Sequence, residues 1–175
     1  MTPRILPLQE FLAQCFVYCP LTGELTWRHR PRSHFQDDSK WKMWNTRFAG
    51  KAAGGLSKGR RMIAIYEVRY YTSRIIWKLV TGEEPPEVDH ANEDGTDERL
   101  ENLRPASRGQ NGWNRSTWRT NGIPKGAYRK RGRWTSRIAA NGILHNLGMF
   151  DTAEEAHAAY CEAARRLHGE FANFG

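Results

Sequence analysis

The chain has 175 residues, a net charge of +8 and a mean hydropathy of −0.75. That length holds one domain or two small ones, and no run approaches the ~18 apolar residues of a membrane span. At 11% aromatic residues the chain is too rich in rings to be disordered, so a helical membrane protein and an unfolded tail are both excluded.

The N-terminus carries no apolar stretch with a small-residue cleavage site, so no secretory signal is expected. Three cysteines, an odd number, argue against a disulfide framework and for a reducing cytoplasm. The charge is segregated. Residues 1–80 hold 14 basic and 5 acidic side chains, 81–111 hold 3 and 9, 112–150 hold 8 and none, and 151–175 hold 2 and 5. Cationic flanks attract a polyanion by counterion release, and the acidic island between them repels phosphate unless a cation sits in it. Clustered surface charge with no partner explains the pattern equally well.

In chain order, Leu8, Phe11, Leu12, Cys15 and Phe16 make one apolar face of a short helix. Thr22-Gly23 is a turn and Leu25–Trp27 a strand. Residues 28–48 read as a polar, basic loop or arm. Arg28, Arg30, Arg32, Lys40, Lys42 and Arg47 could run along a phosphate backbone, or form a solvated surface. Met62–Tyr71 reads as a strand or hairpin, with Met62, Ala64, Tyr66, Val68 and Tyr70 on one period-2 face. Thr72 caps a helix that contains Ile75, Ile76, Leu79 and Val80 and ends at Gly82. Pro85-Pro86 opens a new unit.

Val88–His90 reads as a short strand and Leu100–Arg104 as its antiparallel return, with the turn at Gly95–Asp97. Ser107 and Gln110 form a capping box, which puts Asn111 in the first turn of a helix. Two strands and a helix would thus gather Asp89, His90, Asn102 and Asn111 around one cleft. That set suits phosphodiester hydrolysis. Carboxylate and amide oxygens favour a hard ion, Mg²⁺ or Mn²⁺, so Asp89 and Asn111 are the ligand candidates. An imidazole can take a proton from water at neutral pH, which makes His90 the base candidate. Asn102, opposite it, can hold one ring nitrogen. Cys15 and Cys19 lack a second pair for a zinc tetrahedron, and His157 and His168 read as packing or surface residues.

Residues 112–123 are Gly-, Asn- and Arg-rich and read as a linker. Lys125–Lys130, Arg133–Ala139 and Ile143–Phe150 are three strand candidates, separated by turns at Gly132 and Asn141-Gly142. Thr152–Glu155 is a second capping box. It opens a helix with Ala156, Ala159, Tyr160, Ala163, Ala164 and Leu167 on one face, stopped by Gly169.

The spacing Asp89-His90, Asn102 and Asn111, with Arg99–Arg104 inside it and Ser73–Trp77 and Thr81–Glu83 before it, resembles the HNH nuclease family in its phage homing-endonuclease branch. The resemblance implies that Asp89 and Asn111 bind a divalent ion, that His90 is the general base and that Asn102 orients it. Two positions depart from the family pattern: Ser73 stands where His is common, and Asp97-Glu98-Arg99 where Asp-Asn-Arg is common. Residues 124–174 resemble the APETALA/ERF-type DNA-binding domain, through Lys125-Gly126, Gly132–Trp134, Leu147–Ala156 and Asn173-Phe174. In that family the sheet lies in the major groove, which here would place Tyr128, Lys130, Arg133, Thr135, Arg137, Leu144 and Asn146 on the DNA face. Arg104, Arg108 and Arg115 are further candidates for DNA contact. Leu144 and Asn146 replace the Arg and Trp of the plant-type third strand, so the target sequence does not carry over.

The expected fold is α+β: a ββα-metal nuclease core and a small three-stranded-sheet-plus-helix domain. The expected division is a basic N-terminal region 1–80, the nuclease motif 81–116, a linker 117–123 and the DNA-binding domain 124–175. The expected function is a phage-encoded, metal-dependent HNH endodeoxyribonuclease, expected to be a homing enzyme. It would act on double-stranded DNA in the bacterial cytoplasm, as a monomer or homodimer and without a membrane partner. The alternatives are a DNA-binding regulator on an inactive nuclease fold and an RNA-processing nuclease.

Overall fold

The structure, a computed structural model, describes residues 4–116 and 122–175. The chain divides into two compact units, Met1–Pro105 and Ala106–Gly175. This differs from the expected linker at 117–123, of which residues 117–121 lie outside the described residues. The strands that carry Asp89-His90 and Arg104 group with the N-terminal region, and the helix after them groups with the C-terminal sheet.

The first unit begins with α1 (Gln9–Cys15), which runs straight into β1 (Phe16–Cys19) and its antiparallel partner β2 (Glu24–Trp27). The expected helix is therefore one residue shorter at Phe16, where the backbone becomes extended. Cys19 lies at the end of β1. The next segment differs more. Residues 28–48 are not a loop: a 3₁₀ turn at Arg32–His34 is followed by α2 (Asp38–Phe48). Asp37 caps α2 by accepting the Lys40 amide, and Trp41, Trp44 and Phe48 supply the inward stripe at i, i+3 and i+7. Trp44 meets Trp27 edge-on, with ring centroids 4.9 Å apart.

Arg30 is buried, which corrects its expected place on a phosphate-tracking surface. Its backbone is held by Asn45 and Trp41. Its guanidinium lies 4.8–5.7 Å from the ring centroids of Phe11, Phe35, Trp44 and Tyr66. Inside an aromatic shell the cation faces ring quadrupoles in place of water.

A three-stranded antiparallel sheet follows: β3 (Gly55–Ser57), β4 (Arg60–Ile65) and β5 (Val68–Tyr71). The β4–β5 hairpin turns at Tyr66-Glu67, both with positive φ. That turn breaks the single period-2 face expected over 62–71. The core face is Ile63 and Ile65, paired with Tyr70 and Val68, while Ala64 is exposed and Tyr66 is 60% exposed. α3 (Thr72–Thr81) then buries Ile75 and Ile76 and ends at Gly82, φ 79°. Tyr71, not Thr72, is its N-cap, and Thr72 is a buried first-turn residue. Arg74 and Lys78 both reach Glu84, at 3.0 and 2.6 Å, and Glu84 also accepts the Leu6 amide. This ties the end of the helix to the N-terminal segment. The unit closes with β6 (Glu87–His90) and β7 (Leu103–Ala106), paired in a two-stranded sheet.

The second unit opens with α4 (Arg108–Trp113), capped by the Ser107/Gln110 box. An antiparallel sheet of order β10-β9-β8 follows: β8 (Ala127–Lys130), β9 (Arg133–Ala140) and β10 (Ile143–Phe150). α5 (Ala153–His168), capped by Thr152 and Glu155, packs on the sheet through Ala156, Tyr160, Ala163 and Ala164 against Ile138. Alanines let the helix lie close. The closest approach is at Gly126, φ 80°, where a Cβ would stand 2.1 Å from Tyr160 Cγ. Lys125 is buried beside it and donates to the Trp113 and Arg115 carbonyls and to Asn173 Oδ1. Trp113 stacks on His168 at 4.3 Å and 7°. These contacts explain why α4 belongs to this unit.

Candidate active site

Val88 enters the hydrophobic core and pins β6, so Asp89 and His90 are carried in with it. Asp89 and His90 are each 3% exposed. Arg104 on β7 directs both Nε and Nη2 at Asp89 Oδ2, at 2.9 and 2.8 Å. Arg104 is thereby committed to Asp89 rather than to an external phosphate. A buried carboxylate costs folding energy unless such a partner meets it.

The loop between the strands is closed by its own polar side chains. The Ala91 amide donates to the Asn102 carbonyl at 2.8 Å. Asn102 Oδ1 accepts the Asn92 amide at 3.0 Å, and Asn102 Nδ2 donates to the Asp97 carbonyl at 2.9 Å. Asn102 was expected to hold a ring nitrogen of His90. Its amide is instead spent on the loop backbone, so it acts on His90 only by fixing the loop that surrounds the ring. Asp97 receives Arg99 Nε and Nη2 and Asn92 Nδ2. The Arg99 hydrogen bonds hold its carboxyl down to about 2. Asp94 is lowered as well, chiefly by the Thr96 hydroxyl and amide.

Glu98 is the residue that motif reading placed outside the site. Its carboxylate is 2% exposed, and Oε2 stands 3.4 Å from His90 Nε2. Its backbone is held from the N-terminal hairpin. Tyr18 Oη donates to the Glu98 carbonyl at 3.0 Å and accepts the Leu100 amide at 2.8 Å. Burial raises the Tyr18 hydroxyl above its ordinary value, so it stays protonated and able to donate. Gly23 lies under the same loop with φ 75°, and a Cβ there would stand 2.7 Å from Glu98 C and Arg99 N. The Leu21–Trp27 segment, to which sequence reading attached no chemistry, is thus the seat of the loop that carries Glu98. The signal available in the sequence was the Glu98 departure itself.

The structure brings Asp89, His90, Glu98, Asn102 and Arg104 together within the first unit. Asn111 lies on the first turn of α4 in the second unit, its amide bonded to the Ser107 carbonyl at 3.0 Å. Among the described residues no group of three His, Cys, Asp or Glu side chains is placed to hold a metal ion. Within the first unit the buried Asp89 carboxylate is a hard oxygen donor, of the type that suits Mg²⁺ or Mn²⁺ rather than zinc.

In the second unit, register decides which side chains share a face. Tyr128 pairs with Thr135, Lys130 with Arg133, and Asn146 with Arg137. Ser136, Ile138 and Ala140 are buried on the α5 side. The opposite face therefore carries the expected group: Tyr128, Lys130, Arg133, Thr135, Arg137, Leu144 and Asn146. A bulge between Asn146 and Gly148 brings Met149 opposite Thr135, so Met149 joins that face. Arg137 lies 4.5 Å from the Tyr128 ring centroid, and Arg133 pairs with Asp151 at 2.9 Å. Arg108 and Arg115 are exposed. His157 and His168 have packing roles: His157 donates to the Lys125 carbonyl and His168 to the Ala139 carbonyl.

The HNH endonuclease family model matches residues 70–113, the segment that carries the buried Asp89-His90 pair, Arg104 and the loop closed by Asn102. Protein 3.8 of Escherichia phage T7 is 32% identical over 104 residues, covering 57% of this chain and 85% of that protein. The chain belongs to the phage protein family that includes Protein 3.8. No solved structure matches it.

Proposed function

We propose that the chain is a divalent-metal-dependent HNH endonuclease that hydrolyses phosphodiester bonds in double-stranded DNA. The observation that carries this reading is the Asp89-His90 pair, buried side by side on β6 within the HNH segment. His90 takes a proton from the attacking water. The water oxygen bonds to phosphorus, the bond from phosphorus to the 3′-oxygen breaks, and the 3′-oxygen leaves with a proton from solvent. Asp89 and Asn111 would hold Mg²⁺ or Mn²⁺, which supplies charge stabilisation for the phosphate and the leaving oxygen. Asn102 keeps the loop closed over the histidine. The outer sheet face of the second unit supplies the DNA contacts, and a homing role fits a nuclease joined to a reader of this kind. One such centre nicks one strand, so a double-strand break takes a dimer or two successive cuts.

The test is nicking of supercoiled plasmid in Mg²⁺ or Mn²⁺, with EDTA and His90→Ala as controls. His90→Ala is expected to lose about 10²–10⁴-fold in cleavage rate while holding DNA affinity within a few-fold. If the wild-type chain binds DNA and cuts in neither ion, the protein is a DNA-binding regulator on a nuclease scaffold. Cutting of RNA alone would move the reading to RNA processing.

A further inference from the structure

Catalytic histidines gain from a partner on the ring nitrogen that is not reacting, because that partner fixes both the tautomer and the ring plane. Asn102, the residue expected in this place, is committed to the Asn92 amide and the Asp97 carbonyl. The group that faces His90 Nε2 is the Glu98 carboxylate, at 3.4 Å, with both side chains almost wholly buried. The two atoms face each other without a formed hydrogen bond, as catalytic contacts often do until substrate binds and aligns them. Glu98 is also positioned with care by residues 75 or more places earlier in the chain. Tyr18 bonds the Glu98 carbonyl and the Leu100 amide, and a Cβ at position 23 would collide with the Glu98 and Arg99 backbone, so glycine there permits the approach. A carboxylate placed in the interior, when a neutral residue would fill the same space, costs folding energy unless a donor meets it. The donor within reach is the imidazole.

We propose that Glu98 is a positioning residue for His90: it accepts the Nε2–H, holds the neutral ring in that tautomer, and so assigns Nδ1 as the nitrogen that takes the proton from water. This rests on the endonuclease reading for its catalytic consequence but not for the pairing itself. It also gives a purpose to the Asp-Glu-Arg loop that departs from the common Asp-Asn-Arg pattern, and to the Leu21–Trp27 turn that seats it.

The experiment compares wild type with Glu98→Leu and Glu98→Gln in the full-length protein. Leucine keeps the volume and removes the acceptor; glutamine keeps an acceptor oxygen. Ring tautomers are read from long-range ¹H–¹⁵N spectra of ¹⁵N-histidine-labelled protein at pH 8, with the His90 signals assigned by difference from a His90→Gln sample. Single-turnover nicking is measured across a Mg²⁺ series, and DNA affinity is measured in Ca²⁺. The expected result is an Nε2–H tautomer for His90 in wild type and in Glu98→Gln, and mixed tautomers in Glu98→Leu. Nicking by Glu98→Leu should fall about 10²-fold or more, Glu98→Gln should stay within about tenfold of wild type, and DNA affinity should change less than threefold.

An Nδ1–H tautomer in wild type overturns the proposal. So does a Glu98→Leu protein whose tautomer and rate both match wild type. A Glu98→Leu defect that is repaired by raising Mg²⁺ overturns it too, since Glu98 would then be a metal ligand. If the wild-type protein nicks nothing, the endonuclease reading fails while the tautomer spectra still decide the Glu98–His90 pairing.

Discussion

The two units handle charge in opposite ways. In the first, charged groups are drawn inward and matched at short range: Arg104 to Asp89, Glu98 to His90, Arg30 to four aromatic rings. In the second, the sheet presents Lys130, Arg133 and Arg137 outward, and its buried side sets Ser136, Ile138 and Ala140 against the alanines and Tyr160 of α5, with Lys125 donating to neutral oxygens beside them. Buried charge in fixed geometry is what bond-breaking needs, because the groups cannot reorganise when the transition state forms. Exposed charge on a flat face governs encounter and salt-dependent grip on a polyanion. On the proposed function the contrast would divide chemistry from recognition within 175 residues, and each side of it can be broken separately.

The largest effect is expected at Gly126. Alanine there meets the Tyr160 ring at 2.1 Å and must hold a positive φ of 80°. Tyr160 is buried against α5 and the sheet and cannot swing away. Gly126→Ala should cost the second unit more than about 4 kcal/mol, in the range reserved for severe core defects. Hydrogen exchange should show lost protection in β8–β10 and α5, with β4 and α3 still protected. Loss of protection in both units together would contradict two units of separate stability.

Next is Arg104→Met, which strips the guanidinium from the buried Asp89 carboxylate while keeping much of the side-chain volume. Removing one partner of a buried pair costs about 3–5 kcal/mol, and the low end applies because Arg104 keeps some solvent exposure. Thermal unfolding in EDTA should fall accordingly. If Asp89 is a metal ligand, Mg²⁺ or Mn²⁺ should restore more of the melting temperature in the variant than it adds to wild type. Equal metal increments in both proteins would remove Asp89 from the ligand set.

The second unit was legible almost in full from the sequence, and the first only in part. β8–β10 and α5 are consecutive elements bounded by turn residues and a capping box, so their signals are local. Period-2 reasoning put Arg137, Thr135 and Tyr128 on one face because antiparallel register keeps phase across a tight hairpin. The same reasoning failed over Met62–Tyr71, where the Tyr66-Glu67 turn reverses the phase and makes Ile63 and Ile65 the core side. α2 was hidden by its lysines, arginine and asparagine, although Trp41, Trp44 and Phe48 mark its inward stripe. The gathering of Asp89, His90 and Asn102 was legible from spacing, but their partners were not. Glu98 depends on Tyr18 and Gly23, and no local pattern announces a contact across so much chain.

The smallest effect in stability terms is the sharpest test of the outward-facing charge. Arg137 is exposed and stacks on Tyr128, so Arg137→Ala should change folding by no more than about 0.5 kcal/mol. On DNA its loss has two possible signatures. A phosphate contact would weaken binding to all sequences alike and lower the slope of log K against log salt by about 0.9. A base contact would leave that slope nearly intact and flatten the preference at one position, by about 1–3 kcal/mol. The Tyr128 ring favours the second outcome. A stacked guanidinium is fixed in one plane before binding, which helps a bidentate contact to a base edge and adds little to a phosphate contact made by point charge. Tyr128→Leu should then reduce base preference in the same direction as Arg137→Ala while leaving the number of released ions unchanged. An additive double variant would mean that the two side chains act independently and that the stacking has no part in recognition.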